Sequence, residues 1–373
     1  MTKLYPVIIL SLLFSYLAQS RMFRRDGIGT ERNYNRLFFL CTAATLILFA
    51  GLRTAYNDTG GYTYVYRHTV IDETAFDSIS WAIGDNPGFY VANIFLKRLG
   101  ASDQTFLLIY SAVTLFIYVW FIFKYSTNPA LSVFLLISMG AYTFTMAAIK
   151  QCMAIALCLL ATHFAIKKKW IPFVVLVLLA STFHVYALMF LIVPFLNFRP
   201  WSTRTVLLLA VFAVAGFMLE SLLDTVVNIT TMFGEEYDVT ALSGSGVNPF
   251  RLAVVAVPVL LSLLLKKYIR IEENKSQNLI LNLSMLNAEI MFVALFGTAN
   301  YFARLANYFL VFQTISLPWL LHFFEKKSRA LITIIAIIGY AAYMYYGHAI
   351  NEVFDADYSG ITLIYYLKSL FAQ

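Results

Sequence analysis

The sequence predicts an all-α, polytopic integral membrane protein that forms a single domain over residues 1–373. Hydrophobic residues make up 60% of the chain, charged residues only 13%, and the mean hydropathy is +0.73. A soluble domain is roughly half apolar and about a quarter charged. The apolar residues form runs long enough to cross a hydrocarbon core, which takes about 20 residues. Because lipid offers no water to the backbone, such runs are expected to be helices.

The positive charges fall in short loops between the apolar runs. The formal net charge is +7, from 27 Lys and Arg against 20 Asp and Glu. Basic residues concentrate in cytoplasmic loops of membrane proteins, so these loops indicate orientation rather than a nucleic-acid partner. The expected cytoplasmic loops are residues 21–36, 167–169, 199–204, 266–270 and 326–329.

The first basic loop places the N-terminus outside and predicts that the second helix, about residues 37–52, runs outward. Residues 53–104 then form a long outer loop rich in Tyr, Gly and Asp, and residues 220–249 form a second outer loop that carries several acidic residues. Counting the apolar runs between the basic loops gives about 12–13 transmembrane helices.

Residues 170–198 separate two basic loops and must therefore cross the membrane twice if both loops are cytoplasmic. We expect a hairpin of two short helices with His184 at its outer tip, because local bilayer thinning tolerates short spans. The alternative is one long tilted helix, which would put Arg199 and Arg204 outside.

Several kinds of chemistry find no support in the sequence. The three cysteines, Cys41, Cys152 and Cys158, lie within apolar runs and are expected to be small buried side chains. The chain has no Gly-rich phosphate loop, no nucleophile elbow and no metal-binding motif. We therefore expect neither a cofactor nor a metal.

Four cations lie at predicted outer ends of helices, against the orientation bias: Arg53, Lys150, Arg251 and Arg304. Orientation does not explain charges at these positions, and charged residues within membrane segments usually mark functional sites. Arg offers a bidentate fork to phosphate and Lys a point charge, so the set suits a polyanion. Lys150 also opens a helix, whose N-terminal dipole attracts anions.

His184 and Asp58 are the candidate proton-transfer groups on the same side. Each candidate has a plainer alternative: Arg53 can reach the interface by snorkelling, His184 can be a packing residue, and Asp58 can be a turn residue. Arg304 can pair with Glu289, which lies in the middle of the preceding span. Tyr62 and Trp81 of the outer loop can stack on sugar rings, with interfacial anchoring an equal explanation.

These residues fall into short motifs that resemble those of the EpsG-type, Wzy-like polysaccharide polymerases. The resemblance covers about residues 51–318. The family usually has Arg where this chain has Lys150, which keeps the charge but loses the bidentate fork, so phosphate geometry can differ. The early motif also departs from the family's Gly-Thr-Asp-Tyr form, because this chain has Asn57-Asp58-Thr59-Gly60. The motifs are Gly51-Leu52-Arg53 with Asp58 and Tyr62, Ile149-Lys150-Gln151 with Ala154, Ala180-Ser181-Thr182-Phe183-His184, and residues 304–309 leading to Pro318.

The resemblance implies a GT-C-like helical fold in the bacterial cytoplasmic membrane. It implies a metal-independent glycosyltransferase that joins undecaprenyl-diphosphate-linked oligosaccharide repeat units on the outer face, in O-antigen, capsule or exopolysaccharide synthesis. A flippase and a chain-length regulator are possible partners. In that reaction the four cations would stabilise the leaving diphosphate. His184 would be the base, with Asp58 as its rival.

Two other functions stay open at this point. A transporter or flippase would also line a path with cations, but it should distribute them through the membrane depth. A polysaccharide ligase would use the same lipid donors at the same face, and only its products distinguish it.

Overall fold

The computed structural model describes residues 2–20, 34–232, 246–272, 274–297, 299–351 and 353–358. The regular secondary structure of these ranges is helical, and the one β-type pairing among them is an isolated bridge between Ala55 and Asp357. The predicted all-α membrane bundle is confirmed.

The helices of the first half, in chain order, are α1 (Tyr5–Gln19), α2 (Arg36–Gly51), α3 (Thr59–Arg67), α4 (Pro87–Arg98), α5 (Asp103–Tyr125), α6 (Pro129–Ser138), α7 (Ala141–Ala147), α8 (Ile149–Ile166) and α9 (Trp170–Ser181). A 3₁₀-helix, Val185–Leu196, follows α9. The second half consists of α10 (Thr203–Phe217), α11 (Leu219–Met232), α12 (Pro249–Leu264), α13 (Lys266–Glu272), α14 (Lys275–Val293), α15 (Ala299–Asn307), α16 (Leu310–Leu321) and α17 (Lys326–Tyr345), which is followed by a π-helical segment, Tyr346–Asn351.

The centre of the bundle is formed by helices that are buried on nearly every face. Most of the side chains of α8, α14 and α16 are buried, whereas α10 and α17 expose wide apolar faces. Polar side chains join these helices internally: the Gln313 amide donates to the Ser284 carbonyl at 2.8 Å and to the Val255 carbonyl at 3.0 Å. Such bonds between helices are typical of membrane interiors, where water cannot satisfy the groups.

The number of crossings, predicted as about 12–13, depends on how the short and broken helices are counted. Among the described residues three helices are long and apolar enough to span a membrane, or six if each bent pair counts as one span, and five shorter apolar helices remain. Several apolar runs are broken within the bundle. Gly140, with φ of +81°, separates α6 from α7, and the two helices meet at a bend of 52°.

Residues 170–198 form two short helices, α9 and the 3₁₀-helix, with His184 between them, and that both of them cross the membrane stays a prediction. The 3₁₀ geometry has a physical consequence for length. At about 2.0 Å per residue, twelve residues reach roughly 24 Å, against about 18 Å for an α-helix. A run too short to span as an α-helix is thereby extended.

The predicted outer loop 53–104 contains two short helices, α3 and α4, rather than irregular chain. The predicted outer loop 220–249 begins as part of helix α11, and its residues 233–245 lie outside the described ranges. The expected basic loop 21–36 and the tail beyond residue 358 also fall largely outside them.

Candidate functional site

Lys150 is the second residue of α8. Ala148, two residues earlier, separates α8 from the end of α7. Its ammonium group is 4.8 Å from the ring centre of Phe89 and 5.1 Å from that of Tyr90. Both aromatic residues belong to α4. Cation–π contacts of this kind hold a cation without neutralising it. Lys150 is therefore a positioned charge at a helix N-terminus.

Gly88 allows α4 to reach this position. Its backbone N–H donates to the Thr182 carbonyl at 2.9 Å, so the first turn of α4 lies against the tip of the hairpin. A Cβ at residue 88 would lie 2.2 Å from the Thr182 Oγ1 atom. Only glycine permits this approach, which brings the rings of Phe89 and Tyr90 close to the Lys150 ammonium group.

His184 is held in place by Tyr308, the residue that directly follows α15. Its Nδ1 atom lies 2.8 Å from the hydroxyl of Tyr308, which is fully buried. The residue sits in the turn between the two hairpin helices, in an extended conformation. Burial, followed by the charges of Arg304 and Lys150, lowers the pKa of His184 to about 4. The imidazole is thus neutral at pH 7 and close to both cations.

Arg304 lies on α15 with an exposed side chain, and its carbonyl accepts a hydrogen bond of 2.6 Å from the Gln151 amide. This bond joins α15 to the first turn of α8. The alternative pairing with Glu289 is not observed. Glu289 is only 4% exposed, and neither of its carboxyl oxygens has a hydrogen-bond partner among the described residues.

Tyr62 of α3 and Asp58, the residue just before α3, complete this group. The Tyr62 hydroxyl accepts a hydrogen bond from the backbone N–H of Lys150, and its ring packs 5.9 Å from Phe89. Burial, with a contribution from Asp58, raises the pKa of Tyr62 to about 12. Asp58 itself is exposed at the start of α3. Lys150, His184, Arg304, Tyr308, Tyr62 and Asp58 are called the cationic site below.

Arg53 does not face this site as a ligand would. Its side chain is completely buried and donates to the Ala50 carbonyl, to the Met146 carbonyl at 2.8 Å and to Thr59 Oγ1 at 3.0 Å. These bonds satisfy carbonyls at the ends of α2 and α7, which have no partner within their own helices. In this arrangement Arg53 fixes the break before Lys150 instead of offering its guanidinium to a ligand.

Arg251 is also separate from the cationic site. It lines a cavity of about 190 Å³ with the hydroxyl of Tyr346 and the imidazole of His348, and it bonds to the hydroxyl of Tyr343. The cavity adjoins the site, since Asn307, one turn after Arg304, is among its lining residues. The four predicted cations thus divide into Lys150 with Arg304, a buried Arg53, and Arg251 in a neighbouring cavity.

Trp81 is 64% exposed and, within the described part of the chain, makes no hydrogen bond or ring contact with the cationic site. The prediction that it binds sugar therefore has no geometric support here. Tyr62, its predicted partner in that role, lies in the site but packs its ring against Phe89.

The opposite end of the bundle carries different residues. His163, near the last turn of α8, lies 2.6 Å from the Tyr125 hydroxyl, and Arg270 bonds to the Trp201 carbonyl at 2.8 Å. Since Lys150 and His163 occupy opposite ends of α8, the cationic site is confined to one end of the bundle.

Sequence reasoning missed the residues that orient the site: Tyr308, Phe89, Tyr90 and Gln151. Tyr308 and Gln151 lie within the sequence motifs described above, next to the charged residues that were predicted to act. Phe89 and Tyr90 carry no local signal except Asn-Pro-Gly at residues 86–88, a pattern typical of a turn.

No three His, Cys, Asp or Glu side chains come close enough to hold a metal ion in the ranges that the structure describes.

The fold and the site together define a class: a polytopic helical membrane protein with cations and an oriented imidazole at one end. The chain belongs to the EpsG family, whose sequence model matches residues 36–354. It has no match among curated proteins or among solved structures. Family membership indicates a membrane protein of the polysaccharide-polymerase type.

Proposed function

We propose that this protein is a glycosyltransferase that polymerises oligosaccharide repeat units carried on undecaprenyl diphosphate, at the outer face of the bacterial cytoplasmic membrane. The observation that carries the proposal is the grouping of Lys150, Arg304 and the Tyr308-bound His184 at one end of the bundle. The reaction needs a binding site for a departing diphosphate and a base for a sugar hydroxyl, and this grouping offers both.

In the proposed step, a hydroxyl oxygen of the incoming unit attacks the anomeric carbon of the growing chain. The bond from that carbon to the phosphate oxygen breaks, and the lipid diphosphate leaves with the bonding electrons. Lys150 and Arg304 stabilise the negative charge that develops on it. Cations fixed in advance do this without reorganisation, which is why such groups contribute strongly to catalysis.

His184 accepts the proton of the attacking hydroxyl on Nε2. This requires the tautomer in which Nδ1 carries hydrogen and donates to the Tyr308 oxygen. The Tyr308 hydroxyl can then donate to the His184 carbonyl, 3.5 Å away. Asp58 remains the rival base, since it lies exposed beside Tyr62.

The remaining residues have positioning roles in this proposal. Arg53 fixes the break between α7 and α8 through the Met146 carbonyl. Tyr62 bonds to the backbone of Lys150 at the first turn of α8. Both therefore act on the direction of the Lys150 side chain rather than on substrate.

The test is the length of the surface glycan in a deletion strain, separated on a gel. Complementation with the natural protein should restore a ladder, and Lys150→Ala should leave single repeat units at unchanged protein level. Arg270→Ala is the matched control, because it removes a cation at the opposite end of the bundle. A ladder restored by Lys150→Ala would reject the assignment.

The same experiment separates the other functions. Long polymer left unattached in the deletion strain would identify a ligase. Lipid-linked single units accumulating on the inner face would identify a flippase. Confinement of the cations to one end of the bundle favours a site over a path, because a path would carry charges through the membrane depth.

A further inference from the structure

The cavity beside Arg251 has a different chemical character from the cationic site. Four asparagines line it, from four separate parts of the chain: Asn57, Asn248, Asn307 and Asn351. Asn248 donates to the Tyr346 hydroxyl at 3.0 Å and caps α12 through Phe250. The side-chain amides of the other three make no hydrogen bond to any residue within the described ranges, so their donors and acceptors are open.

Amide groups distinguish a sugar from a phosphate. An amide both donates and accepts, as does a sugar hydroxyl, whereas an ionised phosphate only accepts. Amide oxygens directed at a diphosphate would repel it. A wall of several amides, with the Tyr346 hydroxyl and the His348 imidazole, therefore suits a ring of hydroxyls.

Arg251 adds one positive charge to this wall. It is half-buried, bonds to the neutral Tyr343 hydroxyl, and forms no ion pair with a carboxylate in the described part of the protein. A planar guanidinium matches a carboxylate through two parallel hydrogen bonds. A single cation among amides is the arrangement expected for a sugar that carries one acidic group.

The wall is also built from elements that are fixed in relation to one another. His348 lies in the π-helical segment that follows α17, and its Nε2 atom is 3.4 Å from the Thr143 hydroxyl on α7. The rings of Phe250 and Tyr346 pack at 5.7 Å beside the cavity. Such π-helical segments are rare and frequently accompany functional sites.

We propose that this cavity is a sugar subsite that selects a repeat unit containing an acidic sugar, with the carboxylate bound by Arg251 and the hydroxyls by the asparagines. The inference rests on the proposed function and narrows its substrate class to an acidic glycan. It also replaces the predicted role of Arg251 in diphosphate binding. Because Asn307 and Arg304 share α15, a sugar in this subsite lies next to the proposed reaction centre.

The experiment compares two disaccharides that differ only in one group: cellobiouronic acid, which has a carboxylate, and cellobiose, which has a hydroxymethyl group in its place. Binding to the purified full-length protein in detergent is measured by ligand-observed NMR titration. The natural protein should bind the acidic disaccharide about tenfold more tightly, as a charge-assisted, bidentate contact implies. Arg251→Gln should remove that preference.

Two further variants test the parts separately. Lys150→Gln changes a cation of the neighbouring site and should leave the preference unchanged. Asn307→Ala should weaken both disaccharides to a similar degree, because it removes contacts to hydroxyls and not to the carboxylate.

Equal binding of the two disaccharides by the natural protein would overturn the proposal, as would loss of the preference in Lys150→Gln but not in Arg251→Gln. The readout does not depend on polymer formation. If the gel shows that the protein is a ligase or a flippase while the acidic preference holds, the proposed function fails and the subsite stands. A normal ladder without any preference rejects the subsite alone.

Discussion

The hydroxyl of Tyr308 lies 2.8 Å from Nδ1 of His184, and the two residues are separated by 124 positions in the chain. A second Tyr–His pair, Tyr125 with His163, has nearly the same geometry at the opposite end of α8, with a distance of 2.6 Å. The protein therefore contains its own control for the role of the first pair.

We expect Tyr308→Phe to reduce polymer formation by roughly 10- to 100-fold, because the imidazole loses the group that fixes its orientation and tautomer. The measurement is the initial rate of polymerisation of lipid-linked repeat units by purified protein. Tyr125→Phe removes the equivalent hydroxyl far from the site and should keep most of the activity. Similar losses in both variants would mean that the bonds matter only for stability.

The pH dependence should reflect the unusual environment of His184. Its pKa of about 4 is lower than the ordinary value because of burial and the charges of Arg304 and Lys150. A depressed pKa keeps the imidazole in its basic form as pH falls, so the acid limb of kcat/KM, which reports the free enzyme, should lie well below 6.5. In Lys150→Gln the limb should move to higher pH, because one repelling charge is gone. An acid limb at 6.5 in both proteins would exclude His184 as the base.

Substitutions of Lys150 should separate charge from shape. Lys150→Arg retains the charge and the contact with Phe89 and Tyr90, and arginine is also the residue that the family resemblance leads one to expect. We expect it to keep a glycan ladder, whereas Lys150→Gln, similar in size and uncharged, should lose at least about 100-fold in rate. A ladder of natural length from Lys150→Gln would show that the charge is dispensable.

Gly88→Ala should disrupt the site from a distance, because the new Cβ would meet Thr182 Oγ1 at 2.2 Å and push α4 away from the hairpin. Activity should fall together with the melting temperature in detergent. Gly61→Ala is the matched control, since nothing lies within 4 Å of its Cβ. Partial recovery in the double variant Gly88→Ala with Thr182→Ala would confirm the steric cause.

Arg53→Gln should behave differently from Lys150→Gln. It leaves the Ala50 and Met146 carbonyls without their charged donor, and each unsatisfied buried group costs about 1–3 kcal/mol. The melting temperature and the amount of folded protein should therefore drop along with activity. Lys150→Gln should lose activity at an unchanged melting temperature. An inactive Arg53→Gln protein with the melting temperature of the natural protein would instead indicate that Arg53 binds substrate.

The helical membrane fold and the hairpin around His184 could be predicted because both depend on signals that are local in the chain. Apolar runs report burial in lipid, and basic loops report orientation. The number of crossings could not be read in the same way. Breaks such as the one at Gly140 depend on packing, and hydropathy does not register them.

The sequence predicted the candidate site as charged and titratable groups with two aromatic residues, Tyr62 and Trp81, beside them. Sequence reasoning selected Lys150, His184 and Arg304, and the structure brings them together. It could not show that the Arg53 guanidinium would donate to backbone carbonyls of the protein itself. The carbonyl of Met146 is 93 positions away and becomes a neighbour of Arg53 only through packing. Nor could it show that Arg251 would lie among amides drawn from four parts of the chain.

The sequence by itself determined that this chain is a membrane-embedded helical bundle with cations concentrated at particular helix ends. Those features follow from the free-energy cost of placing charged side chains and unpaired backbone groups in hydrocarbon. This cost depends on each residue and its near neighbours in the chain, so the sequence reports it directly. Only the tertiary structure decided which cation faces a site and which side chains orient it. Tyr308, Phe89 and Gly88 acquire their roles from contacts between segments far apart in the chain, and no local pattern specifies such contacts.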